Sequence, residues 1–465
     1  MNKMGELRGD AHADSSSLKE THMKRITATL AGSALICALT ACASAPTGMA
    51  GRDVAPFAAG GVKAATPEEV GLSSARLARL TARMQQGVAN GELPGAVLLI
   101  GRHGKIAYQE TFGLRDPQAG ASMTPDAIFR IASMSKPITS LAIMMLAEEG
   151  RLSIADPASK YLPEFAGLKV GVVKPGADGK ASVVTEAPRI PMTVQDLLRH
   201  TSGLTYGLAG AHPIKQAYVD AKVGDRNDSN AVLVSKLSKL PLVYQPGTTW
   251  EYSLSTDVLG RIVEVVSGQS LDRFVAERIT GPLKMHDTGF SAPMSNAARG
   301  ARPHAEGPKK VVPNIPAVTN DLPFKSGGGG MVSTASDYAR FCQFMLNGGE
   351  LDGVRLVSRK TIELMTANHL PPGTPIGADM YRFEALAPSA DMGQGFGLGY
   401  AVRTDTGRNP LPGSSGDYFW GGAFGTFFWI DPKENMYVVL MMQSPQARLP
   451  YRYLLRQMVY QAVDK

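Results

Sequence analysis

The sequence predicts a mixed α/β fold of the α+β kind: an antiparallel sheet flanked by helices, with a mainly helical subdomain inserted over about residues 151–320. Three observations predict it: a hairpin signal early in the chain, capped helices through the middle, and strand signals before a last amphipathic helix. Taken in order, Leu77, Leu80, Met84 and Val88 recur at helical spacing over 73–90, and Gly91 supplies the stop. The apolar runs 96–100 and 106–112, joined across Arg102-His103-Gly104-Lys105, read as a β-hairpin. A second helix follows over 133–149 and ends at Gly150. Thr193 opens a capping box with Asp196, Ser255 caps a helix through Val266, and Ser270 caps another through Arg278. A helix over 335–346 ends at Gly348-Gly349. Strands are expected over 398–403, 417–420, 425–430 and 436–442, and the closing helix carries Leu454, Leu455, Met458 and Val459. Both chain ends therefore build one sheet.

Residues 1–41 are of another kind. An apolar stretch from Ile26 to Leu39 follows Lys24 and Arg25, too short to span a bilayer and suited to a secretory signal. It ends in Leu39-Thr40-Ala41-Cys42, which resembles the lipobox of bacterial lipoproteins, where the cysteine is acylated and becomes the new N-terminus. On that reading Met23 is the initiator, and Cys42 anchors a periplasmic or outer-membrane protein. Cleavage around Ala41-Cys42-Ala43 would instead release a soluble secreted chain. Residues 42–66, rich in Ala, Gly and Pro, read as a tether, which leaves 67–465 as one catalytic unit. Apolar residues at 44% and charged residues at 19% exclude wholesale disorder and a coiled coil. A net charge of +7, with no basic cluster longer than Lys309-Lys310, excludes dedicated nucleic-acid binding. Three cysteines, Cys37, Cys42 and Cys342, are too few for a disulfide framework or a zinc ribbon.

Several catalytic systems are missing. The G-x-S-x-G elbow is broken by Ala75 after Ser73 and by Asp417 after Ser415. Neither H-E-x-x-H nor C-x-x-C occurs, so the sequence supports no metal site. Asp287-Thr288-Gly289 and Asp405-Thr406-Gly407 mimic the aspartic-protease triplets, but their polar flanks read as turns. What remains is the S-x-x-K tetrad Ser133-Met134-Ser135-Lys136. Residues i and i+3 share a helix face about 4.5 Å apart along the axis, so Lys136 Nζ reaches Ser133 Oγ. A helix start offers free N–H groups to a developing oxyanion. Apolar residues downstream, among them Ile138, Leu141 and Met145, would bury the amine and disfavour its charged form, as a base requires. Alone, the tetrad fits an N-cap serine beside a solvated lysine better; its surroundings reverse that weighting.

Those surroundings are the words 129–136 (FRIASMSK), 196–204 (DLLRHTSGL), 246–253 (PGTTWEYS) and the glycine-rich stretch from Gly327 to Tyr338. In this order they closely resemble the serine β-lactamase and penicillin-binding superfamily, most of all its class C-like branch, from Pro67 to the C-terminus. The resemblance implies a β-lactamase/transpeptidase-like fold with the site between sheet and helical subdomain. It makes Ser133 the acyl-accepting nucleophile, Lys136 the general base, and Tyr252 the proton shuttle between Oγ and leaving group. The third motif, Lys-Thr-Gly in the family, stands here as Trp420-Gly421-Gly422, whose glycines would admit the substrate close to the strand. The N–H groups of Ser133 and Ala423 would form the oxyanion hole. His200 and the glycine-rich turn are read as structural.

Two departures set the expected substrate. Leu254 stands where β-lactamases carry asparagine, and Trp420 where they carry the lysine that pairs with a carboxylate. An apolar pocket rewards neutral acyl and alcohol groups and gives a desolvated carboxylate no partner. S-x-x-K combined with Tyr252-Ser253-Leu254 and Trp420-Gly421-Gly422 is similar to the family VIII carboxylesterases and their acyltransferase relatives. The expected activity is hydrolysis of a small-molecule ester through an acyl-enzyme on Ser133. Leu254, Trp420, Gly421 and Gly422 would bind the substrate, and no metal or organic cofactor is implied. A β-lactamase, a D-Ala-D-Ala or D-amino-acid peptidase, and a non-catalytic penicillin-binding-like module are the alternatives.

Overall fold

The computed structural model describes residues 62–175, 181–207, 212–378, 380 and 386–465; the signal segment, Cys42 and the tether as far as residue 61 lie outside them. Helix α1 (Ser74–Ala89) starts where its sequence provides a cap: Ser73 accepts a hydrogen bond from the Arg76 N–H, and Leu77, Leu80 and Met84 are buried. Strand β1 (Lys63–Ala64) precedes it, and β2 (Gly95–Arg102) and β3 (Lys105–Asp116) follow. The β2–β3 turn places His103 at φ 52° and Gly104 at φ 75°, the left-handed pair that matches strand twist in a tight hairpin. After β4 (Ala121–Ser122) and β5 (Phe129–Arg130), a 3-10 turn (Ala132–Met134) leads into α2 (Ser135–Glu148). The regular helix thus begins two residues later than its pattern suggests, and Ser133 stands in the turn ahead of it.

The middle of the chain holds the hairpin β6 (Val170–Pro175) and β7 (Ala181–Glu186). Helices α3 (Val194–Leu198), α4 (Pro213–Asp220), α5 (Asn230–Leu237), α6 (Ser255–Ser267) and α7 (Leu271–Val275) follow. In α3, Thr193 and Asp196 exchange both capping-box bonds. The two other expected caps differ. Ser255 is the first helical residue of α6, and its hydroxyl meets Ser202 and Ser253 at 2.7 Å each. Ser270 occupies the N-cap position of α7 without a side-chain bond.

Strand β8 (Val332–Ser333) pairs with β5, and α8 (Ala335–Leu346) begins at Thr334, which accepts from the Asp337 N–H. A small hairpin, β9 (Glu350–Leu351) and β10 (Val354–Arg355), precedes α9 (Arg359–Thr366). Then come β11 (Gln394–Phe396), β12 (Ala401–Arg403), β13 (Tyr418–Gly421), β14 (Phe427–Asp431), β15 (Met436–Met442) and α10 (Arg448–Tyr460). The principal sheet runs β1-β3-β2-β15-β14-β13-β12-β11, with β15 antiparallel to β2 so that Val438 faces Ile100 and Leu440 faces Leu98. Both central strands are buried along their whole length, as strands covered on two faces are. Helix α8 lies on β2 and β15, α1 packs on α10, and α2 packs on α6. The nucleophile turn and the end of β13 meet at the same edge of these layers: Thr426 Oγ1, just past β13, donates to the Ile131 carbonyl at 3.1 Å.

Candidate active site

The turn that carries Ser133 is strained and tightly held. Ala132 sits at φ 44°, a left-handed conformation that costs a non-glycine residue about 1–3 kcal/mol. Ser135 Oγ donates to the Ala132 carbonyl at 2.7 Å and accepts from the Met331 N–H at 3.1 Å. The Tyr338 hydroxyl donates to the Met134 carbonyl at 2.9 Å. These bonds offset the strain and fix the Oγ of Ser133.

Lys136, in the first turn of α2, is fully buried. Its Nζ lies 2.6 Å from the Gly328 carbonyl oxygen, 2.9 Å from the Tyr206 hydroxyl and 3.3 Å from Ser133 Oγ, so three polar neighbours fix it beside the nucleophile. The same nitrogen lies 4.6 Å from the centre of the Tyr252 ring. Trp420 Nε1 donates to the Tyr252 hydroxyl at 3.1 Å. The Tyr252 ring stacks on Trp250 with 12° between planes and is flanked by His200, Tyr206 and Trp420 at 5.0–5.3 Å. Ser133, Lys136 and Tyr252 are therefore brought together.

A cavity of about 240 Å³ opens on Ser133 and is lined by Tyr252, Trp420, Gly421, Gly422 and Ala423, with Leu386, Phe419 and Phe427 as apolar wall. Leu254 is buried but is not among the lining residues; it approaches Gly224 instead. The two glycines of the third motif line the cavity and also have a reason within the protein. A Cβ on Gly421 would stand 2.5 Å from Arg452 Cζ, and one on Gly422 would stand 2.5 Å from the Ile131 carbonyl oxygen. Neither glycine was expected for that reason. Arg448 and Arg452 also line the cavity, so its wall is not purely apolar. Arg452 donates to the Gly422 and Thr426 carbonyls at 2.6 and 3.0 Å, bracing the turn that carries Ala423.

His200 is buried at φ 59°, and its Nδ1 meets Ser253 Oγ at 3.3 Å. Burial, with Lys136 nearby, pushes its pKa well below the usual imidazole range, so it stays neutral. Asp287 is held by Arg299 at 2.6 Å and Asp405 by Arg408 at 3.3 Å, each in its own ion pair. The free thiol of Cys342 is buried in the core and pushed far up by that burial. Among the described residues no group of three or more His, Cys, Asp or Glu could hold a metal ion.

Two residues of this site escaped the sequence reading. Tyr206 lies two positions past the end of the second recognised word; burial, then the neighbouring Tyr252 and Asp257, pushes its phenol well above the usual range. Asp257, in the first turn of α6, looks like an ordinary acid at a helix N-terminus, yet it is buried and bonded to the glycine-rich loop. Periodicity carries no signal for either.

With this geometry in place, comparisons with known proteins are direct. The Beta-lactamase family model matches residues 80–459. Protein Rv1367c of Mycobacterium tuberculosis is 36% identical over 367 residues, covering 76% of this chain and 86% of that protein. Esterase EstB of Burkholderia gladioli is 31% identical over 427 residues, covering 85% of this chain and 98% of that one. Among solved structures, EstCE1, a hydrolase with promiscuous acyltransferase activity, superposes with a TM-score of 0.69 at 26% identity over 83% of this chain and 98% of that one. Fold, motif order and near-complete coverage agree: the chain belongs to the beta-lactamase family and is a serine hydrolase of the β-lactamase and penicillin-binding superfamily.

Proposed function

We propose that this hydrolase cleaves small carboxylic esters through an acyl-enzyme on Ser133. The observation that carries the proposal is the Lys136–Ser133 contact in a cavity where Trp420, in place of a lysine, turns its indole N–H onto Tyr252. Lys136 Nζ takes the Oγ proton as Oγ attacks the ester carbonyl. The N–H groups of Ser133 and Ala423 receive the oxyanion, an interaction worth about 3 kcal/mol per donor in the transition state. The Tyr252 hydroxyl gives its proton to the departing alcohol and takes in return the one that Lys136 accepted, and water or an acceptor alcohol then releases the acyl group. The likeness to EstB and EstCE1 supports this reading.

One observation favours a second reading. Arg452 is buried against the cavity, and among the described residues it forms no ion pair with a carboxylate; burial and Arg448 both disfavour its charge. An anionic substrate group would relieve that cost, as a β-lactam or peptide carboxylate does. Turnover of p-nitrophenyl acetate and butyrate beside nitrocefin, with Ser133→Ala as control, decides between the readings. Fast ester cleavage that disappears in the variant, with slow nitrocefin turnover, supports the esterase; the reverse preference supports the second reading. Ester turnover surviving in Ser133→Ala refutes the mechanism. The lipid anchor at Cys42 belongs to the same proposal, and metabolic labelling with a palmitate analogue, lost in Cys42→Ala, tests it.

A further inference from the structure

Beside Lys136 lies a buried acid that the chemistry above does not use. Asp257 is buried in the first turn of α6. Its Oδ1 accepts hydrogen bonds from the Gly328 N–H at 3.0 Å and from the Ser326 hydroxyl. The same Gly328 turns its carbonyl to Lys136 Nζ at 2.6 Å. The loop between them has no slack. A Cβ on Gly328 would come within 2.5 Å of Asp257 Oδ2, a Cβ on Gly327 within 2.7 Å of the Thr256 carbonyl, and Thr139 Oγ1 holds the Gly327 carbonyl at 2.8 Å. A single rigid residue thus joins a buried carboxylate on α6 to the amine on α2.

We propose that Asp257 is a positioning residue for the nucleophile: its ionised carboxylate holds the Gly328 N–H and, through the carbonyl of that residue, keeps the Lys136 amine on Ser133 Oγ. The proposal rests on the Ser133–Lys136 reading of the site. Around Lys136 the other titratable groups are Tyr206, Tyr252 and the neutral His200; around Asp257 they are Lys136 and Tyr206, with Ser326 and Gly328 as hydrogen-bond donors. Burial pushes the Asp257 carboxyl up, against the pull of Lys136 and of its donors. It therefore takes up a proton at higher pH than an exposed aspartate does. Once protonated it has neither charge nor a full grip on the loop. An asparagine in its place has no charge to lose.

The test is the rate at which a fluorophosphonate probe labels Ser133 in the purified full chain, measured from about pH 4 to about pH 9. Wild type labels about tenfold faster than Asp257→Asn at the alkaline end, and the ratio falls as the pH is lowered toward the acid end. Asp257→Glu, which keeps the charge, follows the wild-type profile at a lower rate. A wild-type to Asp257→Asn ratio that stays constant across pH overturns the proposal, since a mere loop staple gives that result. Should Asp257→Asn not fold, Ser326→Ala reads the same coupling. Loss of one donor to the carboxylate moves the acid fall-off to higher pH, and an unmoved profile overturns the proposal. Wild type that fails to label at Ser133 refutes the serine-hydrolase reading instead, before any variant is compared.

Discussion

Trp420 walls the cavity with an indole, and its Nε1 donates to the Tyr252 hydroxyl without bringing the charge a lysine would. Trp420→Phe keeps the wall and removes the donor. Losing a buried hydrogen bond costs about 1–3 kcal/mol. The expected result is a fall of about tenfold in kcat for p-nitrophenyl butyrate with KM nearly unchanged. Steady-state kinetics check it, and a raised KM with kcat intact would reduce Trp420 to a binding surface. Gly421 tests the same strand end differently. Its missing side chain leaves room for the Arg452 guanidinium, which braces the Gly422–Thr426 turn beneath Ala423. Gly421→Ala displaces that brace, and kcat should fall about a hundredfold while circular dichroism stays unchanged. Ser133, Lys136 and Tyr252 were legible as a group because S-x-x-K and the word ending in Tyr252-Ser253 stand in the family's order along the chain. The reason for each glycine was not, because it lies in a tertiary contact: Gly421 meets Arg452 of α10, and Gly422 meets the Ile131 carbonyl ahead of the nucleophile turn.

Helix ends were readable where the cap is local and unreadable where it is tertiary. The bounds of α8 follow from Thr334 and from Gly348 at φ 71°, all within one stretch of chain. The start of α2 depends on Ala132 being held left-handed by Met331, Tyr338 and Thr426, which no local pattern announces. The β6–β7 hairpin was missed because Val173, Val183 and Val184 are exposed, so no buried face marks it. In the first turn of α8, burial pushes the Asp337 carboxyl to about 6. A native pKa above the unfolded value means stability that is complete below the ordinary carboxylate range and is lost as pH rises through about 6. Asp337→Asn, neutral throughout, should gain on wild type by up to about 3 kcal/mol between about pH 4 and pH 7. Urea unfolding of both proteins at several pH values reads that difference, and a flat difference refutes it. Between elements, Asp417 ties α10 to the sheet: Arg456 grips it with both terminal nitrogens at 2.8 and 3.1 Å and Arg403 adds a contact at 3.0 Å, all fully buried. Asp417→Ala strands two buried guanidinium groups and should destabilise by about 3–5 kcal/mol, measured as a lowered urea midpoint. Exposed pairs such as Arg273–Glu277, screened by water, should each contribute far less than this buried pair.

The order of hairpin, helices, strands and helix was enough to place both chain ends in one sheet, because few layered arrangements bury such a pattern. The register of β2 against β15 was not legible, since periodicity within each strand is silent about its partner. That register has a consequence for the molecule as a whole. Seven residue pairs, from Arg102–Met436 to Ala96–Met442, join a strand from the first quarter of the chain to one from its end. Lys309 and Lys310 lie on an exposed connection between those two strands. A cut there separates Ser133, Lys136 and Tyr252 from Gly328, Trp420 and Ala423 along the chain, but not across the fold. Limited trypsin digestion should therefore yield two fragments that resolve in denaturing gels and co-elute at the size of the intact protein in gel filtration. The buried β2–β15 pairing and the Arg130 side chain hold the halves together, the latter by donating to the Ala317, Asn320 and Gly330 carbonyls beyond the cut. Activity on p-nitrophenyl butyrate should survive the nick. Fragments that separate without denaturant, or activity that disappears in step with cleavage, would mean that the connection itself, rather than the shared sheet, holds the two halves of the site in register.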